Sequence, residues 1–137
     1  MFESRNRLLL AGMAAFVLAG CAVTAAPDRP AEEIVLERAQ KRWDALLAGD
    51  WATAYRYTSP GYRAVVSEQS YGNQFRGPLQ WNSASARSAK CEDRRCTVLV
   101  TVKFRLLLPG LHRQPGQTDL EETWVLEDGN WFKFEAP

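Results

Sequence analysis

The sequence predicts an α+β fold in which N-terminal helices pack on a curved antiparallel four-stranded sheet. Three observations carry that expectation. Apolar residues from Val35 to Leu47 recur at three- and four-residue spacings, the period of a helix buried along one stripe. From Leu79 onward the period drops to two, the alternation of a strand with one covered face. All helical patterns precede all strand patterns, which argues for helices gathered on one face of a sheet rather than for βαβ units. A chain of 137 residues with 46% hydrophobic and 24% charged residues has room for one domain with an ordinary core.

The first element precedes that domain. Leu8 to Gly20 is an apolar run of 13 residues, about 20 Å as a helix against a hydrocarbon core of about 30 Å. It is short for a membrane span. Arg5 and Arg7 precede it, small residues close it, and polar, proline-bearing "VTAAPDRP" follows, the layout of a secretory signal. Leu18-Ala19-Gly20-Cys21 resembles the lipobox of bacterial lipoproteins. The resemblance implies cleavage before Cys21 and attachment of fatty acyl chains, palmitate among them, to its sulfur. The alternative is an ordinary secretory signal with an incidental cysteine. Two or more acyl chains hold a protein stably at a bilayer, so the expected partner is the membrane itself. Ala22 stands where lipoproteins retained in the inner membrane commonly carry Asp, so the resemblance implies the outer membrane, with the domain facing the periplasm. The expected organisation is therefore a signal peptide over 1–20, a lipidated cysteine and tether over 21–30, and a folded domain over 31–137. The tether's prolines favour extended backbone, which spans roughly 20 to 30 Å at about 3 Å per residue.

Removing 1–20 leaves equal numbers of basic and acidic residues. No charge imbalance remains to steer nucleic acid or a strongly anionic surface. Arg94 and Arg95 adjoin Glu92 and Asp93, a mixed-sign turn rather than a basic patch.

The elements of the domain follow in order. "AEEIVLERAQKRWDALLAGD" is a long amphipathic helix with Val35, Leu36, Ala39, Trp43, Leu46 and Leu47 on its apolar stripe, acids in its first turn and Gly49 at its end. Asp50 is placed to cap a second helix, "WATAYRYT". Ser59-Pro60 stops that helix and opens a third short one through Tyr62 and Val66. "SEQSYGNQF" carries a fourth, weak helical pattern before Gly77-Pro78. "LQWNSASARSAKC" then pairs with "CTVLVTVKFRLLLP", where Val98, Val100, Val102, Phe104 and Leu106 share one face. "PGLHRQPGQT" reads as a long loop, and "DLEETWVLEDGNWFKFEA" as two strands about a Glu-Asp-Gly-Asn turn. The last strand sets Trp131 and Lys133 on one face and Phe132 and Phe134 on the other, and its pattern does not say which is inward.

Cys91 and Cys96 flank four polar residues between strand patterns, so a hairpin sets them opposite each other. An exported address is oxidising enough for a disulfide. Metal binding competes, with no further cysteine beyond Cys21 and only one histidine, His112; the expectation is no metal and no cofactor.

A helix ending "RWDALLAGDWATAYRYTSPGYR", followed by strands that finish "ETWVLEDGNWFKFE", resembles the nuclear transport factor 2-like superfamily of cone-shaped rolls. Gly49-Asp50, Tyr55 and Ser59-Pro60 resemble its junction between the first two helices, and Trp124 with Asp128-Gly129-Asn130-Trp131 its closing hairpin. The resemblance spans roughly Ala31 to Pro137. It implies a cone between helices and sheet that is a pocket with an acid–base residue in the superfamily's enzymes, and a binding or scaffolding surface in its many noncatalytic members.

The candidates for such a pocket are Trp43, Tyr55, Tyr62, Trp81, Arg87, Phe104, Glu122 and Trp124. With Cys91 facing Cys96, alternation sets Ala89, Arg87, Ser85 and Ser83 opposite Val98, Val100, Val102 and Phe104, and Trp81 near Leu106, which turns Arg87 inward. Leu120, Glu122, Trp124 and Leu126 share a face by the same rule. Glu122 and Arg87 are costly to bury singly. They are read as a desolvated acid and an anion anchor, or as a structural bridge or rim residues. His112 lies in a Pro/Gly-rich loop without a partner at motif spacing, and no GxSxG or HExxH occurs. The aromatic residues suit core filling or a small apolar ligand.

The resulting expectation is a noncatalytic binding or assembly module of the envelope, tethered through Cys21, with an envelope protein or a second copy as partner. The second copy would pair through the sheet face of Thr97, Leu99, Thr101, Lys103 and Arg105 with Leu107. The alternative is a small isomerase, dehydratase or hydrolase using Glu122.

Overall fold

A computed structural model describes residues 28–107, 109–110 and 115–137. The expected signal segment, Cys21 and most of the tether, together with His112, lie outside the described residues. The elements run α1 (Ala31–Leu47), α2 (Trp51–Arg56), α3 (Pro60–Val65), α4 (Glu68–Asn73), β1 (Leu79–Glu92), β2 (Arg95–Leu106), β3 (Pro115–Glu127) and β4 (Asn130–Lys133). The strands form one antiparallel sheet in the order β1-β2-β3-β4. It curls around the helices, so the α+β class expected from element order is the class observed.

Local chemistry explains the boundaries. Gly49 takes a φ of 70° just past α1, a left-handed conformation that favours glycine and ends the helix. The Asp50 carboxylate accepts from the Thr53 N–H at 3.0 Å and caps α2. Ser59 and Ser67 do the same for α3 and α4, accepting from the N–H groups of Tyr62 and Ser70. Pro60 occupies the first turn of α3, where its missing N–H costs nothing. Asp128 and Gly129 have φ of 48° and 76°, the paired positive angles of a tight hairpin turn.

α1 lies across the inner sheet face. Its Val35, Ala39, Trp43 and Leu46 are buried against Val98, Val100, Val102 and Trp124. Small residues on β1 permit the close approach, since Ala84, Ala86 and Ala89 pair with Val102, Val100 and Val98 on the inner face. This corrects the simple alternation. The register shifts between Trp81 and Ser83 and again between Ala86 and Ser88. Each irregularity changes the parity of the strand. Ser83, Ser85 and Arg87 are therefore exposed, and Trp81 pairs with Phe104 rather than lying near Leu106. The outcome avoids burying a guanidinium without a partner. β3 also begins earlier than the pattern suggested, at Pro115, because Gly116 pairs with Phe104. In β4 the inward residue is the buried Trp131.

Cys91 and Cys96 are cross-strand partners and are joined by a disulfide, with Cα atoms 4.0 Å apart. Closing so short a loop stabilises by roughly 2 kcal/mol in the chain-entropy account. Both sheet edges are occupied. Tyr57 and Ser59 exchange backbone hydrogen bonds with Lys133 on β4. On β1, the Gln40 side chain donates to the Ala84 carbonyl at 3.2 Å and accepts from the Ala86 N–H at 2.9 Å, a side chain standing in for a fifth strand.

Candidate functional site

The chemistry-bearing group inside the roll is Glu122. β3 places it on the inner face opposite Val98, between Leu120 and Trp124, and it is only 5% exposed. Its partner comes from α1. Arg42, 3% exposed, donates from Nη1 to Glu122 Oε1 at 2.9 Å. The neighbouring Trp43 donates its indole N–H to the same oxygen at 2.9 Å, and the Trp124 indole donates to Oε2 at 3.1 Å. Arg42 Nη2 also reaches Glu135 Oε1 at 3.2 Å, an oxygen that Lys133 Nζ approaches at 3.2 Å. A chain of ion pairs thus runs from the half-buried Glu135 through Arg42 to Glu122.

Electrostatics follow from this geometry. Burial works against the charge on Arg42, but Glu122, Tyr71 and Glu135 outweigh it and hold its pKa above the ordinary value. Burial pushes the Tyr71 phenol up to about 12 despite the nearby Arg42. Tyr71 Oη and Arg42 Nε are buried without a hydrogen-bond partner among the described residues. Charge-assisted bonds from a guanidinium, with those from two indoles, fix the position of this carboxylate. Among the surface grooves are five of about 350 to 840 Å³, and none of these five is lined by Glu122, Arg42, Trp43 or Trp124.

Of the residues expected around a pocket, the fold brings Trp43, Glu122 and Trp124 together in this network. Trp81 stacks on Trp43 with centroids 4.7 Å apart. Tyr55 and Tyr62 gather instead around Tyr71, at 5.5 and 6.3 Å. Phe104 packs its ring over Gly116 near the far end of the β2–β3 pairing. Arg87 is exposed beside the second irregularity of β1 and does not meet Glu122. The cation that does, Arg42, was missed by reading sheet patterns alone. Its signal lay in the helix: it stands seven residues after Val35 and three after Ala39, on the apolar stripe.

These features define an α+β roll with a polar centre supplied by its first helix and third strand. No family model matches the chain, and no curated protein matches it. Solved structures do. The chain is similar to a SEC-C motif containing protein from Rhodopseudomonas palustris, with 15% identity over 69% of this chain and 70% of that one and a TM-score of 0.54. It is also similar to a SEC-C motif containing protein from Psychrobacter arcticus, with 14% identity over 75% of this chain and a TM-score of 0.59. It spans 59% of the Psychrobacter chain. A hub homology domain of CamKII from Chlamydamonas reinhardtii shares 19% identity over 74% of this chain and 92% of that one, at a TM-score of 0.47. At such identities the likeness concerns the fold and carries no activity with it.

Proposed function

We propose that the chain is a lipid-anchored envelope lipoprotein whose roll is a noncatalytic binding or assembly module. The observation that supports a noncatalytic role is the engagement of Glu122 by Arg42, Trp43 and Trp124. Glu122 is the buried acid of the described residues. General acid–base work needs a group within hydrogen-bond reach of a substrate proton, and Glu122 lines none of these five grooves. The alternative, an isomerase, dehydratase or hydrolase using Glu122, would require the pair with Arg42 to open. Assembly with a second copy would use the outer sheet face, where Lys103 on β2 and Asp119 and Glu121 on β3 place opposite charges near one another.

Anchoring rests on the Leu18-Ala19-Gly20-Cys21 resemblance. Its test is detergent phase partition and intact mass of the full chain expressed in a diderm bacterium. The native chain is expected to enter the detergent phase with an added acyl mass, and Cys21→Ser to carry none. A native chain that washes out of the envelope without detergent and bears no lipid mass overturns the anchor.

A further inference from the structure

At the rim of the roll, where α1 ends and β1 begins, lies a groove of about 350 Å³ whose lining includes Leu47, Gly49, Trp51, Phe75, Leu79 and Trp81. Its volume lies within the range of small-molecule sites. None of its lining residues carries a charge. Three of them are aromatic, and their rings are held in place by one another. Trp51 stacks on Phe75 at 5.6 Å, and Phe75 meets Trp81 edge-on at 6.1 Å. Trp81 in turn stacks on Trp43, whose indole is bonded to Glu122. Trp51 is further fixed by its contact with Gly72, where even a Cβ would come within 3.1 Å of the ring. The aromatic lining is thus rigid before any ligand arrives, which lowers the ordering cost of binding.

The other wall is the C-terminus of α1, the negative end of its dipole. No hydrogen bond among the described residues ends on the carbonyl oxygens of Leu47 or Ala48, both from groove-lining residues. Basic residues are absent from the last turn of α1, so no cationic side chain of that turn competes for those carbonyls. Aromatic rings and helix-terminal carbonyls, with no lining cation, attract positive charge on an apolar body.

The geometry points to this groove as a binding site for a small quaternary ammonium cation, free or as the headgroup of a lipid. The assignment belongs to the folded domain and stands apart from the anchor at Cys21, so failure of either leaves the other intact.

Tryptophan fluorescence of the full chain in a maltoside detergent, titrated with choline, tests it. The control is the carbon isostere of choline, in which a quaternary carbon replaces the nitrogen. Choline is expected to change the emission saturably and to bind about tenfold more tightly than the isostere. Trp51→Ala and Trp81→Ala each weaken choline about tenfold. Leu79→Lys, which places a cation in the lining and keeps every ring, abolishes the choline response. Phosphatidylcholine vesicles that displace choline, where phosphatidylglycerol vesicles do not, assign the cation to a lipid headgroup. Absence of that displacement assigns it to a free solute. No saturable response to choline, or equal affinity for choline and isostere, overturns the proposal.

Discussion

The indoles at the centre of the roll and those at its rim have been given opposite environments. Trp43 and Trp124 are at most 2% exposed, and each donates its N–H to Glu122. Trp51 and Trp81 are half-buried, and their N–H groups donate to nothing among the described residues. One pair has an acid supplied by the fold. The other faces a groove whose polar partners must come from outside. Trp43 belongs to both settings, since it bonds Glu122 and stacks on Trp81. The comparison teaches what one buried acid does for its neighbours: Glu122 is the acceptor that lets two large donors and a guanidinium be buried together.

Breaking the central network has the largest expected effect. Glu122→Ala leaves the Arg42 charge buried without its main partner and is expected to cost about 3 to 5 kcal/mol, read by urea denaturation. Replacing both partners with apolar residues, Arg42→Met with Glu122→Leu, is expected to recover part of that loss, because no cation is then stranded while the Trp43 and Trp124 N–H groups still lack their acceptor. If the double variant is no more stable than the single one, the loss came from packing and the unsatisfied indoles rather than from an orphaned cation.

A second, smaller effect comes from Tyr71. Its folded pKa of about 12 stands above the ordinary value of 10.0. Between these values the unfolded chain has released the phenol proton and the folded chain retains it, so stability falls as pH rises. The stabilisation is fully present below about pH 10, and its loss toward pH 12 amounts to about 2 to 3 kcal/mol. Tyr71→Phe is expected to flatten the stability profile across this window. A phenol absorbance titration should lose its most alkaline step in the same variant.

The smallest effect sharpens the comparison from the sheet edge. Gln40→Ala removes the side chain that satisfies Ala84 and Ala86, and is expected to cost about 1 kcal/mol. It also uncovers an edge that can pair with another chain. Sedimentation velocity should show concentration-dependent association in this variant beyond that of the native chain.

The features legible in the sequence were those that depend on local periodicity. The stripe of α1, the Asp50 cap, the helix break at Ser59-Pro60, the alternation from Val98 to Leu106, and the facing cysteines all follow from local residue type and spacing, and the fold follows from their order. The inward side of Glu122 was legible for the same reason, as β3 keeps its alternation through Trp124. Arg87 was misplaced because alternation carries across a strand only while no residue is inserted, and β1 has two irregularities that no residue type announces. The Arg42 partnership joins residues 80 positions apart, and only the helix's height over the sheet decides it. Sequence pattern marks Arg42 as lying on a buried stripe but not what it meets there.

Hydrogen exchange at the indole nitrogens tests the central distinction most directly. In amide-type NMR spectra of the native chain at equilibrium, the account predicts that the N–H protons of Trp43 and Trp124 exchange only at the rate of global unfolding. Those of Trp51 and Trp81 should exchange within the dead time of the measurement. If the Trp43 and Trp124 protons exchange as fast as those at the rim, Glu122 is open to water and the closed polar centre does not exist.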